Sequence, residues 1–183
     1  LAATIAVSSS AFAADDAGIT QEEIASAFDV AFGATFTSRY VSRGSDLSGK
    51  GAFQGYIEPS YGIFYAGLWF STVSGVGGYT ADDDLEYDLY LGVRPEFGNL
   101  SLDFGYVRYL YDSSGDDCRC GELYAKATYA FTDMFSAGGE IYYDPKWETT
   151  YGVLNAEVSL PYDFAVSAAV GTWLHSGSDD VDW

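Results

Sequence analysis

Residues 52–71 read AFQGYIEPSYGIFYAGLWFS, and the alternation in this stretch decides the fold. Polar or aromatic residues alternate with small or apolar ones on both sides of the segment Pro59-Ser60-Tyr61-Gly62. A period of two places successive side chains on opposite faces of a β-sheet. Proline fixes φ and glycine permits a tight reversal, so we expect the chain to turn at residues 59–62. The stretch therefore predicts a β-hairpin.

The same alternation recurs along the chain and predicts nine strands, at 27–37, 52–58, 64–71, 85–94, 100–111, 122–131, 135–143, 150–160 and 164–174. The links after the first, third, fifth, seventh and ninth strands are longer and polar, and the other links are a few residues long. Alternating long and short links are typical of outer-membrane barrels, which have extracellular loops and short periplasmic turns. Strands of about ten residues fit a tilted crossing of the hydrocarbon band. We therefore predict an all-β fold, an antiparallel up-and-down transmembrane β-barrel.

The composition favours strands and excludes one class of partner. The chain has 21 Gly and 17% aromatic residues, which suit turns and strands. Its formal net charge of −19 argues against nucleic acid as a partner, because a phosphate backbone requires a basic surface. No apolar run approaches the ~18 residues of a spanning helix. A membrane location would therefore require a barrel, in which every backbone N–H and C=O is paired.

The ends of the sequence set the predicted domain boundaries. Residues 1–13 resemble the remnant of a secretory signal peptide, ending in Ala11-Phe12-Ala13, and residues 14–26 read as an acidic periplasmic segment. Residues 27–183 are predicted to form the barrel. Because bacterial single-chain barrels have an even number of strands, we expect ten strands in the intact protein and a C-terminal strand that is missing here. The alternatives are an ordinary buried N-terminal segment and a soluble secreted barrel or sandwich.

Four short motifs resemble the TorF family of porins of proteobacteria. They read TSRYVSRG at 37–44, YAGLW at 65–69, EYDLYLG at 86–92 and GELYA at 121–125. Their order and spacing carry the resemblance, which spans residues 28–183 and implies an outer-membrane pore. The sequence departs from the family in lacking the end of the barrel and in its Cys-Arg-Cys loop.

The charged residues that alternate toward the predicted interior are the main candidates for function. They line the predicted lumen and comprise eight acidic and two basic side chains, Asp29, Glu58, Glu86, Asp88, Asp103, Glu122, Glu140, Glu157, Arg94 and Lys126. We predict that Arg94 and Lys126 pair with neighbouring carboxylates, because charges inside a small barrel require a partner or water. Rings of carboxylates favour cations, so an open lumen would be a narrow cation-preferring path. Alternatively, salt bridges and tyrosines plug a lumen of this size.

The other chemically reactive residues give weaker signals. Cys118 and Cys120 lie in a predicted exposed loop, where they form a loop disulfide or remain two surface thiols; two ligands alone do not make a metal site. The sole histidine, His175, is predicted to be solvated, although a barrel protease would need a histidine and acidic pairs at its mouth. No nucleophile elbow, phosphate-binding loop or zinc motif is present, so we predict no enzyme activity, metal or cofactor.

The sequence thus predicts a porin-like channel in the outer membrane of Gram-negative bacteria, which passes small hydrophilic solutes by passive diffusion. Its expected partners are those solutes, outer-membrane lipid and lipopolysaccharide. The first alternative is a non-conducting barrel with a plugged lumen, which acts through acidic surface loops as a binding or structural protein. The second alternative is a barrel hydrolase that depends on His175.

Overall fold

The computed structural model of the chain describes residues 27–74, 83–112, 121–162 and 164–175. The predicted signal-peptide remnant at 1–13, the acidic segment at 14–26 and the two cysteines lie outside these residues. The described residues form twelve strands: β1 Phe28–Thr37, β2 Val41–Ser42, β3 Ser45–Asp46, β4 Ala52–Tyr61, β5 Phe64–Thr72, β6 Leu85–Val93, β7 Glu96–Phe97, β8 Leu100–Tyr111, β9 Gly121–Thr132, β10 Phe135–Asp144, β11 Thr149–Leu160 and β12 Phe164–His175.

The strands pair in sequence order and confirm the predicted antiparallel all-β fold. The main sheet has the order β1-β4-β5-β6-β8-β9-β10-β11-β12, with β7 paired to β8, and β2 pairs with β3 separately. The nine long strands match the nine predicted from the alternation within a few residues. Among the described residues, β1 pairs only with β4 and β12 only with β11, so the sheet has two edges and does not close.

Three of the tight turns lie later in the chain than predicted, whereas the link between β11 and β12 lies where it was predicted. The first is at Gly62–Ile63, where Gly62 has a φ of 56°, and the strand before it runs through Pro59. The β4–β5 register passes from Ile57↔Leu68 to Ser60↔Tyr65, and Pro59, which has no N–H to donate, falls between these pairs. Proline therefore interrupts this ladder, and the next residue that tolerates a positive φ makes the reversal.

Two other predicted turns shift in the same direction. In the predicted turn at 95–99, Glu96 and Phe97 form β7, and the reversal takes place at Gly98–Asn99. In the short link predicted between the strands at 122–131 and 135–143, Thr132 ends β9 instead, and its hydroxyl accepts hydrogen bonds from the N–H groups of Met134 and Phe135 at 3.2 and 3.0 Å. Each strand continues as long as its residues have pairing partners in the neighbouring strand. Composition alone does not locate the residue at which this pairing ends.

The chain divides into two compact units. The first unit comprises Leu1–Tyr90 with Tyr109–Cys118, and the second comprises Leu91–Arg108 with Arg119–Trp183.

Each unit exposes apolar side chains and buries charged ones. In the first unit Phe32 and Phe36 are 78% and 77% exposed, whereas Glu86 is 2% exposed. In the second unit Leu154 and Val170 are 67% and 68% exposed, whereas Glu122 is 4% exposed. Soluble proteins show the opposite distribution, with apolar side chains inside and carboxylates outside. The sheet in each unit therefore has an apolar exposed face and a more enclosed polar face.

Tyrosine rings on the polar face occupy the space above glycines of the neighbouring strand. The ring of Tyr90 lies over Gly67 in the first unit, and the ring of Tyr124 lies over its cross-strand partner Gly105 in the second. A Cβ at Gly105 would contact the Tyr124 hydroxyl and would lie 2.6 Å from the carbonyl oxygen of Leu91. A side chain there requires the backbone to move, because the second contact is with main chain.

We expect Gly105→Ala to lower the free energy of unfolding by about 1–3 kcal/mol through overpacking. The control is Gly139→Ala, whose Cβ would have its nearest neighbours at 3.5 Å, an ordinary contact distance. We expect that variant to stay within about 1 kcal/mol of the parent chain. Denaturant unfolding in one detergent measures both, and equal effects would contradict the predicted close packing.

The link between β1 and β4 folds into a compact hairpin. Strands β2 and β3 meet at Arg43 and Gly44, which both have positive φ. Asp46 holds the returning chain, because its Oδ1 accepts the N–H of Gly49 at 2.8 Å and that of Ser48 at 3.2 Å. These N–H donors, Gly49 first, and the nearby Arg39 guanidinium lower the pKa of the Asp46 carboxyl below its usual value.

A lowered pKa in the folded chain means that Asp46 stabilises the hairpin above its unfolded pKa, and that this contribution is lost as pH falls through the folded pKa. We therefore expect Asp46→Ala to reduce hydrogen-exchange protection of the Ser48 and Gly49 amides at pH 7. The difference from the parent chain should shrink as pH falls through the folded pKa of Asp46, which lies below the usual pKa of an aspartate. Asp46→Asn keeps an acceptor without the charge and is the control; a pH-independent effect of the alanine variant would contradict the prediction.

Candidate functional site

A row of charged and polar side chains crosses the polar face of the second unit. Arg94 Nε lies 3.3 Å from Asp103 Oδ2 in a salt bridge, as predicted for Arg94. Asp103 on β8 is the cross-strand partner of Lys126 on β9, and Lys126 is the partner of Glu140 on β10. Asn155 on β11 donates its Nδ2 to Glu140 Oε1 at 2.8 Å. We call these five residues the charge row.

Charges alternate in sign along the charge row. Two basic and two acidic side chains sum to zero formal charge, in a chain whose net charge is −19. Opposite charges directly across neighbouring strands stabilise the pairing. Glu140 also accepts a hydrogen bond from the Tyr142 hydroxyl, so each of its oxygens has a donor.

Lys126 is held differently from Arg94. Its Nζ lies 4.9 Å from the ring centroid of Tyr124 and 5.6 Å from that of Tyr142, within cation–π distance of both. In the described part of the second unit, the ammonium group thus contacts two rings, whereas Arg94 contacts a carboxylate. The predicted pairing is therefore confirmed for Arg94, while Lys126 is a cross-strand neighbour of two carboxylates and is held by aromatic rings.

A cavity of about 190 Å³ lies beside the charge row. Its lining contains Arg94, Lys126 and Asp103, with two hydroxyl side chains, Ser101 and Thr128, which are cross-strand partners. The remaining lining residues are Glu96 and Leu102. Both predicted basic residues of the polar face therefore lie at one cavity.

The first unit carries a cluster around the buried carboxyl group of Glu86. The Tyr111 hydroxyl donates to Glu86 Oε1 at 2.9 Å, and the Tyr40 hydroxyl approaches the same carboxyl group. Burial, with the nearby charges of Glu86 and Asp88, raises the pKa of Tyr40 well above its ordinary value, so it remains a neutral donor. Tyr40 belongs to the link after β1 and packs edge-on against Trp69, with ring centroids 5.5 Å apart. The link thus reaches the polar face of its own unit.

The other predicted lumen residues are spread along the strands. Asp29 is exposed near the start of β1, and its Oδ1 accepts the N–H of Val30 at 2.8 Å. Glu58 and Glu122 are more enclosed, and Glu157 is exposed opposite Ser167. His175 is exposed at the end of β12, in agreement with a solvated histidine. Among the described residues, no group of three or more His, Cys, Asp or Glu side chains could hold a metal ion.

The participants that the predicted list of charged residues omitted include Tyr40, Tyr111 and Asn155. Tyr40 was assigned to a polar loop, Tyr111 to the end of a strand and Asn155 to an unremarkable inward position. Tyr111 and Asn155 fall on the same face of their strands as the inward charged residues. The two-residue alternation therefore predicts that both lie on the polar face. Tyr40 has no such signal, because its position depends on how the link folds back.

The described residues contain no helix that is both long and apolar enough to cross a membrane. No curated protein and no solved structure shows significant similarity to this sequence. A family model does match, over residues 21–182, and it therefore covers most of the chain. The chain belongs to the family described as bacterial protein of unknown function (Gcw_chp).

Proposed function

We propose that the chain forms an outer-membrane β-barrel that acts as a porin-like channel for small hydrophilic solutes, with a preference for cations. The observation that carries the proposal is the inverted distribution of side chains, with exposed Phe, Leu and Val on one face of the strands and buried carboxylates on the other. A sheet with these two faces is stable where lipid contacts the first and water or polar groups contact the second. The resemblance to TorF porins stays a prediction that agrees with this role.

The exposed apolar face would be costly in water. Large contiguous apolar patches on soluble monomers mark interaction sites or cause aggregation. Leu154 lies in the middle of β11 and is 67% exposed, whereas its neighbours Val153 and Asn155 on the other face are less exposed, so its exposure belongs to the face itself and not to a frayed end. Contact with lipid would remove that cost, at about 25 cal/mol for each Å² of apolar surface taken out of water.

The open edges of the sheet support a further strand. The main-chain groups along one side of β1 and one side of β12 have no partner strand among the described residues. Hydrocarbon does not tolerate such groups, because no water is present to bond them. We propose that a tenth spanning strand pairs with β12 and β1, which gives the even number typical of bacterial barrels. The short β7 does not count as a spanning strand, since it has two residues.

The charge row limits where cation preference can arise. Asp103 forms a salt bridge with Arg94, and Glu140 lies directly across from Lys126, so the charges of the row balance one another. Glu86 and Asp88 lie on β6 in the first unit, whose cluster around Glu86 contains tyrosines as donors. A tyrosine hydroxyl brings no positive charge to compensate a carboxylate. The preference for cations would therefore depend on carboxylates outside the charge row, and the first of these to test are on β6.

One observation favours the second candidate, a non-conducting barrel that acts as a binding or structural protein. Tyr40, from a link between strands, lies beside the Glu86 carboxyl group on the polar face. A link folded onto that face would narrow a lumen. The conductance experiment below separates the two candidates.

We expect Leu154→Arg to lower the free energy of unfolding in lipid vesicles by about 2–4 kcal/mol, the cost of a charge on the lipid face near the middle of a strand. The matched control, Ser167→Arg, places the same side chain on the polar face opposite Glu157, and should change it by less than about 1 kcal/mol.

The assay is denaturant unfolding of the chain folded into vesicles. If the chain instead folds in water without detergent and tolerates Leu154→Arg within about 0.5 kcal/mol, as exposed sites of soluble proteins do, then the membrane proposal is wrong.

We expect the full-length protein in a planar bilayer to give steady single-channel steps with a cation-selective reversal potential under a salt gradient. The double variant Glu86→Gln/Asp88→Asn should lower the ratio of potassium to chloride permeability by about a factor of two or more, because carboxylates in a narrow path attract cations. Asp133→Asn, exposed in the tight turn between β9 and β10, is the control and should leave the ratio unchanged.

Anion selectivity in the parent protein would contradict the proposed preference. Correct insertion, shown by protection of the barrel from protease, without any conductance would reject the channel and support the plugged barrel.

A further inference from the structure

We propose that the cavity beside the charge row binds the oxyanion group, carboxylate or phosphate, of a small solute, with Lys126 as its principal cation. This inference deepens the proposed function. It rests on that function in one respect, since water must reach the polar face. It adds a solute class and a binding residue that general porin behaviour does not require.

The first support is the convergence of basic residues in an acidic protein. The chain has eight Lys and Arg against 27 Asp and Glu, yet one Lys and one Arg line a single cavity of about 190 Å³. Charges farther away than a Debye length, about 8 Å at physiological ionic strength, are largely screened at a hydrated face. The cavity itself is formally neutral, because Asp103 and Glu96 line it together with Arg94 and Lys126, so it repels anions far less than the net charge of the whole chain suggests.

The second support is the way in which Lys126 is held. The rings of Tyr124 and Tyr142 attract the ammonium charge at 4.9 and 5.6 Å without accepting its N–H groups in ordinary hydrogen bonds. An ammonium has three donors, and a hydrated or ligand oxygen can accept them. The two carboxylates across the strands are already engaged, Asp103 by Arg94 and Glu140 by Asn155 and Tyr142. Lys126 is thus positioned by its neighbours without being neutralised through a direct salt bridge to either of them.

The third support is the pair of hydroxyl groups. Ser101 and Thr128 are cross-strand partners, and both line the cavity with Lys126. Hydroxyls donate readily to carboxylate and phosphate oxygens, and hydrogen bonds to ionised acceptors are the stronger class. A cation together with two hydroxyls provides the donors that a small oxyanion requires, and Leu102 gives one apolar contact for the remainder of the solute.

The size of the cavity restricts the solute. A volume of about 190 Å³ is below the 300–1,000 Å³ of sites that enclose drug-sized ligands. Short-chain carboxylates or inorganic phosphate fit this limit, whereas larger anions would leave most of their surface outside. The proposed ligand is therefore a small oxyanion.

The test is ligand-observed NMR on the full chain folded in zwitterionic detergent micelles. Acetate, followed by saturation transfer to its methyl group, and inorganic phosphate, followed by ³¹P line width, serve as separate probes of the two sources of an oxyanion. We expect saturable binding of at least one probe, and a loss of roughly tenfold or more in affinity for Lys126→Met, as a lost charge-assisted contact implies.

The matched control is Lys146→Met, since Lys146 also lies over an aromatic ring, at 4.5 Å from the Trp147 centroid, but lines neither this cavity nor the charge row. Its affinity should stay within twofold of the parent chain. Lys126→Arg keeps the charge and should retain most of the binding. Thr128→Val, which keeps all charges, should weaken binding by roughly threefold and serves as a second measurement if Lys126→Met does not fold.

Equal binding by the parent chain and Lys126→Met, or by Lys126→Met and Lys146→Met, would overturn the proposal, as would the absence of saturable binding of both probes. Binding is measured without a bilayer, so a non-conducting barrel that binds acetate through Lys126 would reject the channel and keep this site. A barrel that conducts ions but binds neither probe would reject this site and keep the channel.

Discussion

The two-residue alternation of an extended backbone is the constraint on which the rest of this structure depends. Every long strand must place one set of side chains on each face, and a slip of one residue would exchange the two sets. The register Phe32↔Ile57 and Leu154↔Val170 keeps apolar residues opposite apolar residues, and Asp103↔Lys126 keeps opposite charges together. Burial of carboxylates and exposure of phenylalanine follow from this one arrangement.

Much of the fold could be predicted from the alternation, because it is a local property of each segment. All nine long strands and their sequential antiparallel order agree with the prediction. Three of the turns were placed too early; two of these strands run on because Pro59 and Thr132 still have pairing partners in a neighbouring strand. Closure into a barrel depends on contacts between distant strands, which no local pattern specifies, and the sheet of the described residues has two edges.

In the candidate site too, some contacts follow from the local alternation, and others depend on how distant segments fold together. Arg94 and Asp103 flank one tight connection, so the phase of the alternation brings them together. The aromatic support of Lys126 combines Tyr124 on its own strand with Tyr142 on the next, which requires the β9–β10 register as well as the phase. Tyr40 required the fold of a whole link, and its approach to Glu86 could not be read from the sequence.

The tyrosines that cover glycines couple positions that are far apart in sequence. Tyr90 and Gly67 share one volume, as do Tyr124 and Gly105, so neither member of a pair can change size independently. A side chain at the glycine becomes tolerable only when the ring is removed, and removal of the ring alone leaves a void. Paired substitutions should therefore be non-additive in their energetics, and substitution at these positions is constrained at the level of pairs and not of single residues.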